Sequence, residues 1–263
     1  MKRLLRILGL AEYGGDELLI ALLACGSAAC ALALWLNVWF ALLPLVPFAV
    51  VLWFFRDPER QAPDLPQTLL APADGTVSDV VEVDEPDYIQ GRALRIGIFL
   101  SPFNVHVNRA PCACKVDFLR YKAGEFLPAY NKEAPHRNES ASLGVQVPGG
   151  TRLVVKQITG VLARRIICEV RPSQSLAAGQ RYGMIKFGSR TELYVPLGAA
   201  PEALVKVGDK VQGGLTPCCK YTPQPPSEER AETAGAELAE RPEPKAAAPE
   251  TATPENREGA STL

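Results

Sequence analysis

Histidine is scarce in this sequence: only His106 and His136 are available for acid–base chemistry near neutral pH. Net charge is also lacking. The 28 Lys and Arg against 29 Asp and Glu leave −1, so no basic field marks the chain for nucleic acid. No Cys-x-x-Cys pair occurs among the seven cysteines, Cys25, Cys30, Cys112, Cys114, Cys168, Cys218 and Cys219. Their count is odd and two lie in an apolar run, which argues against a disulfide framework or a metal site and for a reducing, cytoplasm-facing domain.

Charge is missing altogether from Leu18 to Phe55. One straight helix of that length would measure roughly 57 Å, against about 30 Å of hydrocarbon. The run is therefore expected to form a transmembrane helical hairpin broken near Asn37, with Trp35 and Trp39 flanking the break. Trp53-Phe54-Phe55 closes it as an interfacial anchor, and Pro44 and Pro47 shorten its second half. Lys2, Arg3 and Arg6 precede the run and Arg56 and Arg60 follow it, so a hairpin puts both basic flanks on the cytoplasmic side. A cleaved signal peptide would have a shorter apolar core and a tidy cleavage site. The expected division is a cytoplasmic segment (1–17), the anchor (18–55), a juxtamembrane connector (56–69), a β-domain (70–221) and a tail (222–263). The tail is rich in Pro, Ala and Glu and almost without large apolar residues, so it reads as disordered, with a helical patch at Glu228–Glu240 as its one structured option.

Within 70–221 the pattern is of short alternating runs: Thr76–Val83, Ala93–Leu100, Cys114–Tyr121, Leu143–Val147, Leu153–Ile158, Arg165–Val170, Met184–Val195 and Val205–Val211. Pro148-Gly149-Gly150 and Val207-Gly208-Asp209-Lys210 read as hairpin turns. Helix is expected only at Glu125–Lys132 and in a turn near Val161–Arg165. The fold class is mainly β (α+β), a compact barrel or sandwich.

Three segments carry polar residues in unusual places, and a fourth point, Gly188-Ser189, interrupts a strand. One of the three, Asn131 to Glu139, is a polar loop whose Glu139 could orient a backbone or a cation, or be a plain solvated charge run. Asp74-Gly75 puts a carboxylate on a turn before a strand, as ordinary turn chemistry also does. Phe103, Val105 and Val107 alternate with Asn104, His106 and Asn108, which sets the histidine beside two amides. Gly188-Ser189 interrupts the Met184–Val195 run, where a Gly marks a bulge or a close backbone approach. A Ser hydroxyl next to a Gly carbonyl unshielded by a Cβ is the minimal equipment for an acyl shift; a plain bulge carrying a Ser would look the same. The order Asp, His, Ser also has the composition of a relay in which a carboxylate orients an imidazole that takes a hydroxyl proton.

The wording of these segments is more specific than their order. Phe54-Phe55-Arg56-Asp57-Pro58-Glu59-Arg60, Pro72-Ala73-Asp74-Gly75, Ser101 to Arg109, Asn138-Glu139 and Phe187-Gly188-Ser189-Arg190 together resemble the phosphatidylserine decarboxylase family, in its short archaeal-type (class A) branch. The resemblance covers roughly residues 50–222. It implies a proenzyme that cuts itself between Gly188 and Ser189: the hydroxyl attacks the preceding carbonyl, the ester undergoes β-elimination, and Ser189 becomes a pyruvoyl group. It further implies that Asp74 and His106 serve the cleavage, and that the larger (1–188) and smaller (189–263) chains stay associated on the cytoplasmic face of the cell membrane. The ketone would condense with the amine of phosphatidylserine as a Schiff base, accept the electrons left by CO2 and yield phosphatidylethanolamine without pyridoxal phosphate or a Schiff-base Lys. Arg109, Arg56 and Arg60 are the candidates for the lipid phosphate. The long branch of the family has a second His where this chain has Arg109, so either His106 serves both steps or Arg109 takes a share. A homo-oligomer is left open.

Two other classes are compatible with parts of the sequence. A membrane-anchored hydrolase would pair Ser189 with Lys186 or Lys156 and keep the chain whole. A lipoyl-like binding module would use the Val205–Val211 hairpin, though no Met-Lys carrier tip is present.

Overall fold

The computed structural model describes residues 1–129, 131, 133–161, 165–186 and 189–223; the expected helical patch and nearly all of the expected tail lie outside them. Three helices open the chain: α1 (Lys2–Ile7), α2 (Gly15–Trp35) and α3 (Leu45–Phe54). With the short turn before it, α2 makes a 24-residue stretch, Glu12–Trp35, of mean hydropathy 2.3. Among the described residues it is the one helix long and apolar enough to cross a membrane. Asp16 and Glu17 fall in its first turn, where the helix dipole favours negative charge. The helix ends at Asn37, whose backbone is extended and whose Oδ1 accepts the Trp39 N–H at 3.2 Å. That Asx cap starts a 3-10 turn, Val38–Leu42, which passes through Pro44 into α3.

The β-domain contains β1 (Thr68–Leu70), β2 (Gly75–Glu85), β3 (Gly91–Leu100), β4 (Val107–Arg109), β5 (Cys114–Lys122), β6 (Ser140–Gln146), β7 (Arg152–Ile158), β8 (Arg165–Cys168), β9 (Ser175–Leu176), β10 (Arg181–Lys186), β11 (Ser189–Pro196), β12 (Glu202–Ala203), β13 (Lys210–Val211) and β14 (Pro217–Lys220), with helix α4 (Ala134–Arg137) between β5 and β6. Eight of the strands form an antiparallel sheet in the order β13-β2-β3-β11-β7-β6-β5-β9, curled into a half-barrel. Two three-stranded sheets, β4-β10-β8 and β1-β14-β12, complete the domain. Alternation decides what each face of the large sheet buries. Ile96, Ile98, Val155, Leu193 and Val195 point into the main core, while Ala93, Val154 and Tyr194 join Tyr88 and Ile89 in a smaller cluster on the other face. A third cluster joins the helices to the β4-β10-β8 sheet: Leu18, Phe54 and Phe55 meet Val105, Val107 and Met184.

Three expectations change. The Met184–Val195 run is two strands in two sheets, because Lys186 pairs with Arg165 in the small sheet whereas Ser189 pairs with Leu100 in the large one. Both strands are buried on both faces, so the apolar pattern runs across a change of sheet that periodicity does not register. Over Glu125–Lys132 no helix forms among the described residues. Glu125 bridges Asn138 instead, and the helical turn is α4, which carries Pro135 near its start, where a missing N–H is tolerated. Of Val205–Val211 only Lys210 and Val211 pair, with β2, since Gly208 turns the chain at φ +96°.

Candidate active site

His106 stands beside β10 of the small sheet, Ser189 opens β11 of the large one, and the Asp74 charge acts on the His106 imidazole. Ser189 opens β11, wholly buried, and its Oγ has no hydrogen-bond partner among the described residues. Gly188 and Phe187 lie outside the described residues. With side chains alternating along β11, Ser189 shares the inner face with Thr191, while Arg190 and Glu192 face the other way.

His106 is likewise wholly buried, one residue before β4. Its backbone carbonyl accepts the Ile185 N–H at 3.3 Å, so it lies beside the strand that leads toward Ser189. Its Nδ1 lies 2.9 Å from the Asn104 carbonyl. A carbonyl only accepts, so the proton sits on Nδ1 and Nε2 is left as a bare base. Nε2 has no partner among the described residues. The ring lies against Phe54, with centroids 4.5 Å apart. Burial, helped by the nearby Arg56 charge and opposed by the Asn104 hydrogen bond and the Asp74 charge, brings its pKa down to about 4.

Asp74 does not hydrogen-bond to that imidazole. Its carboxylate takes both arms of Arg60, at 2.5 and 2.9 Å, and the Gly213 N–H at 2.8 Å. The expected carboxylate–imidazole relay is thus replaced by a backbone carbonyl on the imidazole, with Asp74 acting through space. Gly75 fits the turn because a Cβ there would overlap the Phe99 carbonyl oxygen.

The candidate phosphate arginines separate sharply. Arg109 is 2 % exposed and is used up inside the protein, giving hydrogen bonds to Asp57 Oδ1 (2.7 Å), the Pro58 carbonyl (3.0 Å) and the Gly179 carbonyl (3.2 Å). Arg60 is committed to Asp74 and the Gly213 carbonyl. The expectation that either meets a lipid phosphate does not fit these positions: the connector is threaded into the domain, its Asp57 also taking Arg181. Arg56 differs. It donates to the Trp53 and Phe103 carbonyls and has no carboxylate partner among the described residues.

Neither lysine of the hydrolase reading is set against Ser189. Lys186 Nζ is buried on Glu17 of α2 at 2.5 Å. Lys156 is in register with Glu192, on the other face of the sheet, and donates to the Pro135 carbonyl.

Residues 48–219 match the sequence model of the family described as "Phosphatidylserine decarboxylase". The chain belongs to the phosphatidylserine decarboxylase family. Relatives named "Phosphatidylserine decarboxylase proenzyme" include one from Carboxydothermus hydrogenoformans, 47 % identical over 69 % of this chain and 84 % of the relative. One from Desulfotalea psychrophila is 44 % identical over 65 % and 79 %, and one from Salinibacter ruber 42 % identical over 70 % and 83 %.

In this phosphatidylserine decarboxylase family member, Gln157 and Thr191 join Asn108 in the site without a motif in the sequence to mark them. Gln157 Nε2 donates to Asn108 Oδ1 at 2.8 Å, and Asn108 Nδ2 to Thr191 Oγ1 at 2.9 Å, a line of buried polar groups ending two residues from Ser189. A Gln at the same strand parity as the inward-facing Leu153 and Val155 was the available signal. On the opposite face Arg190 binds Glu192, Ser78 and Asp79, locking the strand that Ser189 begins.

Proposed function

We propose that this protein is a self-cleaving phosphatidylserine decarboxylase of the short archaeal-type branch, anchored by its N-terminal helices on the cytoplasmic face of the cell membrane, with Ser189 as the precursor of a pyruvoyl group. The observation that carries the reading is that two of the six buried side-chain atoms without a hydrogen-bond partner among the described residues are Ser189 Oγ and His106 Nε2, a hydroxyl and a base near the seam between two sheets. Leaving buried polar atoms unsatisfied costs about 1–3 kcal/mol each, which a fold retains where chemistry uses them.

Ser189 fits the role. It begins a strand held on both sides, by β3 and β7, so its own backbone is fixed where the acyl shift would start. Neutral His106, its Nδ1–H spent on Asn104, can take the hydroxyl proton at Nε2. Attack on the Gly188 carbonyl exchanges the peptide bond for an ester; loss of the Ser189 α-proton then expels the Gly188 carboxylate. The dehydroalanyl end that remains tautomerises to an imine, takes up water and releases ammonia to leave the ketone. A pyruvoyl group supplies a ketone as electron sink for decarboxylation. Around it this chain contributes the buried Asn108–Gln157–Thr191 wall, which excludes water, and His106, which returns a proton to the carbon that loses CO2. Arg56, uncommitted to any carboxylate among the described residues, is the arginine left for the lipid phosphate.

Electrophoresis and intact mass tests this directly. The mature protein should give two bands, with the smaller chain starting at position 189, blocked at its N-terminus and lighter by one ammonia than a Ser-initiated chain. Ser189→Ala should give one uncut, inactive polypeptide. An active protein with an unmodified Ser189 in an unbroken chain refutes the reading.

A further inference from the structure

One turn carries both the candidate base and an exposed aromatic. Ser101 donates to Asn104 Oδ1 from its backbone N–H at 2.9 Å and from its Oγ at 2.7 Å, and the Asn104 N–H returns to the Ser101 carbonyl at 2.9 Å. The carbonyl of that same Asn104 orients His106. At the tip of this braced turn, Phe103 is 77 % exposed. Its carbonyl accepts Arg56 Nη2 at 2.5 Å. Arg56 is two residues past the end of α3 and lies 4.2 Å over the ring of Trp53, itself 57 % exposed. Phe54, the next residue, lies against His106 with the two rings tilted by 37°. A guanidinium with no carboxylate partner among the described residues and two exposed aromatics thus form one edge, continuous with the apolar helices.

A bilayer suits this edge better than a protein partner. Aromatic rings are favoured at the boundary of headgroups and acyl chains, and an Arg there meets lipid phosphate while its stem stays on apolar surface. The edge also continues the segment whose composition already calls for lipid. We propose that Phe103, Trp53 and Arg56 form a bilayer-docking edge, with Phe103 inserted among the lipids, and that this edge sets the depth of His106 relative to the headgroups. The proposal rests on the reading of a lipid substrate given above. Its physical content is a short path: ring in the bilayer, braced turn, Asn104 carbonyl, imidazole.

The test uses the full-length mature protein and two forms of phosphatidylserine, one in vesicles with phosphatidylcholine and one short-chained and monomerically soluble. Phe103→Ser should lower kcat/KM on vesicles about tenfold, the loss expected for part of the burial of one large apolar side chain. On the soluble lipid it should stay close to the parent, with both bands present on a denaturing gel. Phe103→Trp should keep both activities. Its added emission should be quenched by lipids brominated near the headgroup end of their chains, a readout independent of turnover. Equal losses on the two substrates, failure of Phe103→Ser to mature, no loss on vesicles, or a Trp at 103 that no brominated lipid quenches would each overturn the proposal. A parent protein that decarboxylates neither lipid would refute the proposed activity, and the quenching would then decide the docking edge alone.

Discussion

His106 should reveal itself through acid. Burial holds its pKa near 4, against about 6.5 for an unperturbed imidazole. Between those values the unfolded chain binds a proton that the folded chain refuses, so stability rises with pH across the window and is lost as pH falls from about 6.5 to about 4. The gap is roughly 2.5 units, and at about 1.4 kcal/mol per unit it amounts to some 3 kcal/mol. The perturbation is His106→Gln, placed in a Ser189→Ala background so that the chain stays whole. Between neutral pH and about 4 the parent background should lose about 3 kcal/mol more than the Gln variant. For a protein of this size that is a relative fall in Tm of roughly 6–12 °C, read by thermal unfolding in detergent. His136 is exposed and common to both proteins, so it cancels. Self-cleavage of freshly made precursor should be nearly flat with pH until it drops near 4, where Nε2 becomes protonated. Parallel melting curves, or a cleavage profile that inflects near 6.5, would show that this imidazole is neither buried nor the base.

Asp74→Asn should lower stability by about 3–5 kcal/mol, because it strands the buried Arg60 guanidinium; adding Arg60→Gln should recover much of the loss, and an unchanged Tm in the single variant would contradict the buried pair. The same substitution removes a charge that supports protonated His106, so the acid limb of self-cleavage should move to still lower pH. Glu17→Gln leaves Lys186 buried without its partner and should cost about 1–3 kcal/mol, less than a fully enclosed pair since Glu17 is partly open to solvent. Lys186→Met added to it should restore the melting temperature, and failure of that rescue would deny the link between α2 and β10.

What the sequence disclosed follows from what is local. Alternation located most strands of the large sheet within two or three residues, and the Asn37 break follows from an Asx cap amid uncharged helix. Ser189 and His106 stood out because polar residues interrupted apolar runs. The partners did not. Asp74 finds Arg60 across a turn, Arg109 is buried because Asp57 arrives from the connector, and Glu17 reaches Lys186 from 169 positions away. Each depends on which surfaces the tertiary fold brings together, and an arginine in an alternating strand reads as solvent-facing until its carboxylate is placed opposite. The split between β10 and β11 was hidden for the same reason, since a residue pattern records burial and not the sheet that provides it.

That split bears on what happens once a chain is severed between 188 and 189. The strand before the cut, β10, and the strand after it, β11, lie in separate sheets, so among the described residues no ladder runs across it. The C-terminal piece keeps β11 wedged between β3 and β7, with β13 on β2 and β14 on β1. Such a piece resembles a keystone rather than a detachable subunit: extracting it would open the half-barrel down its middle, so the fragments should melt together and neither should persist alone.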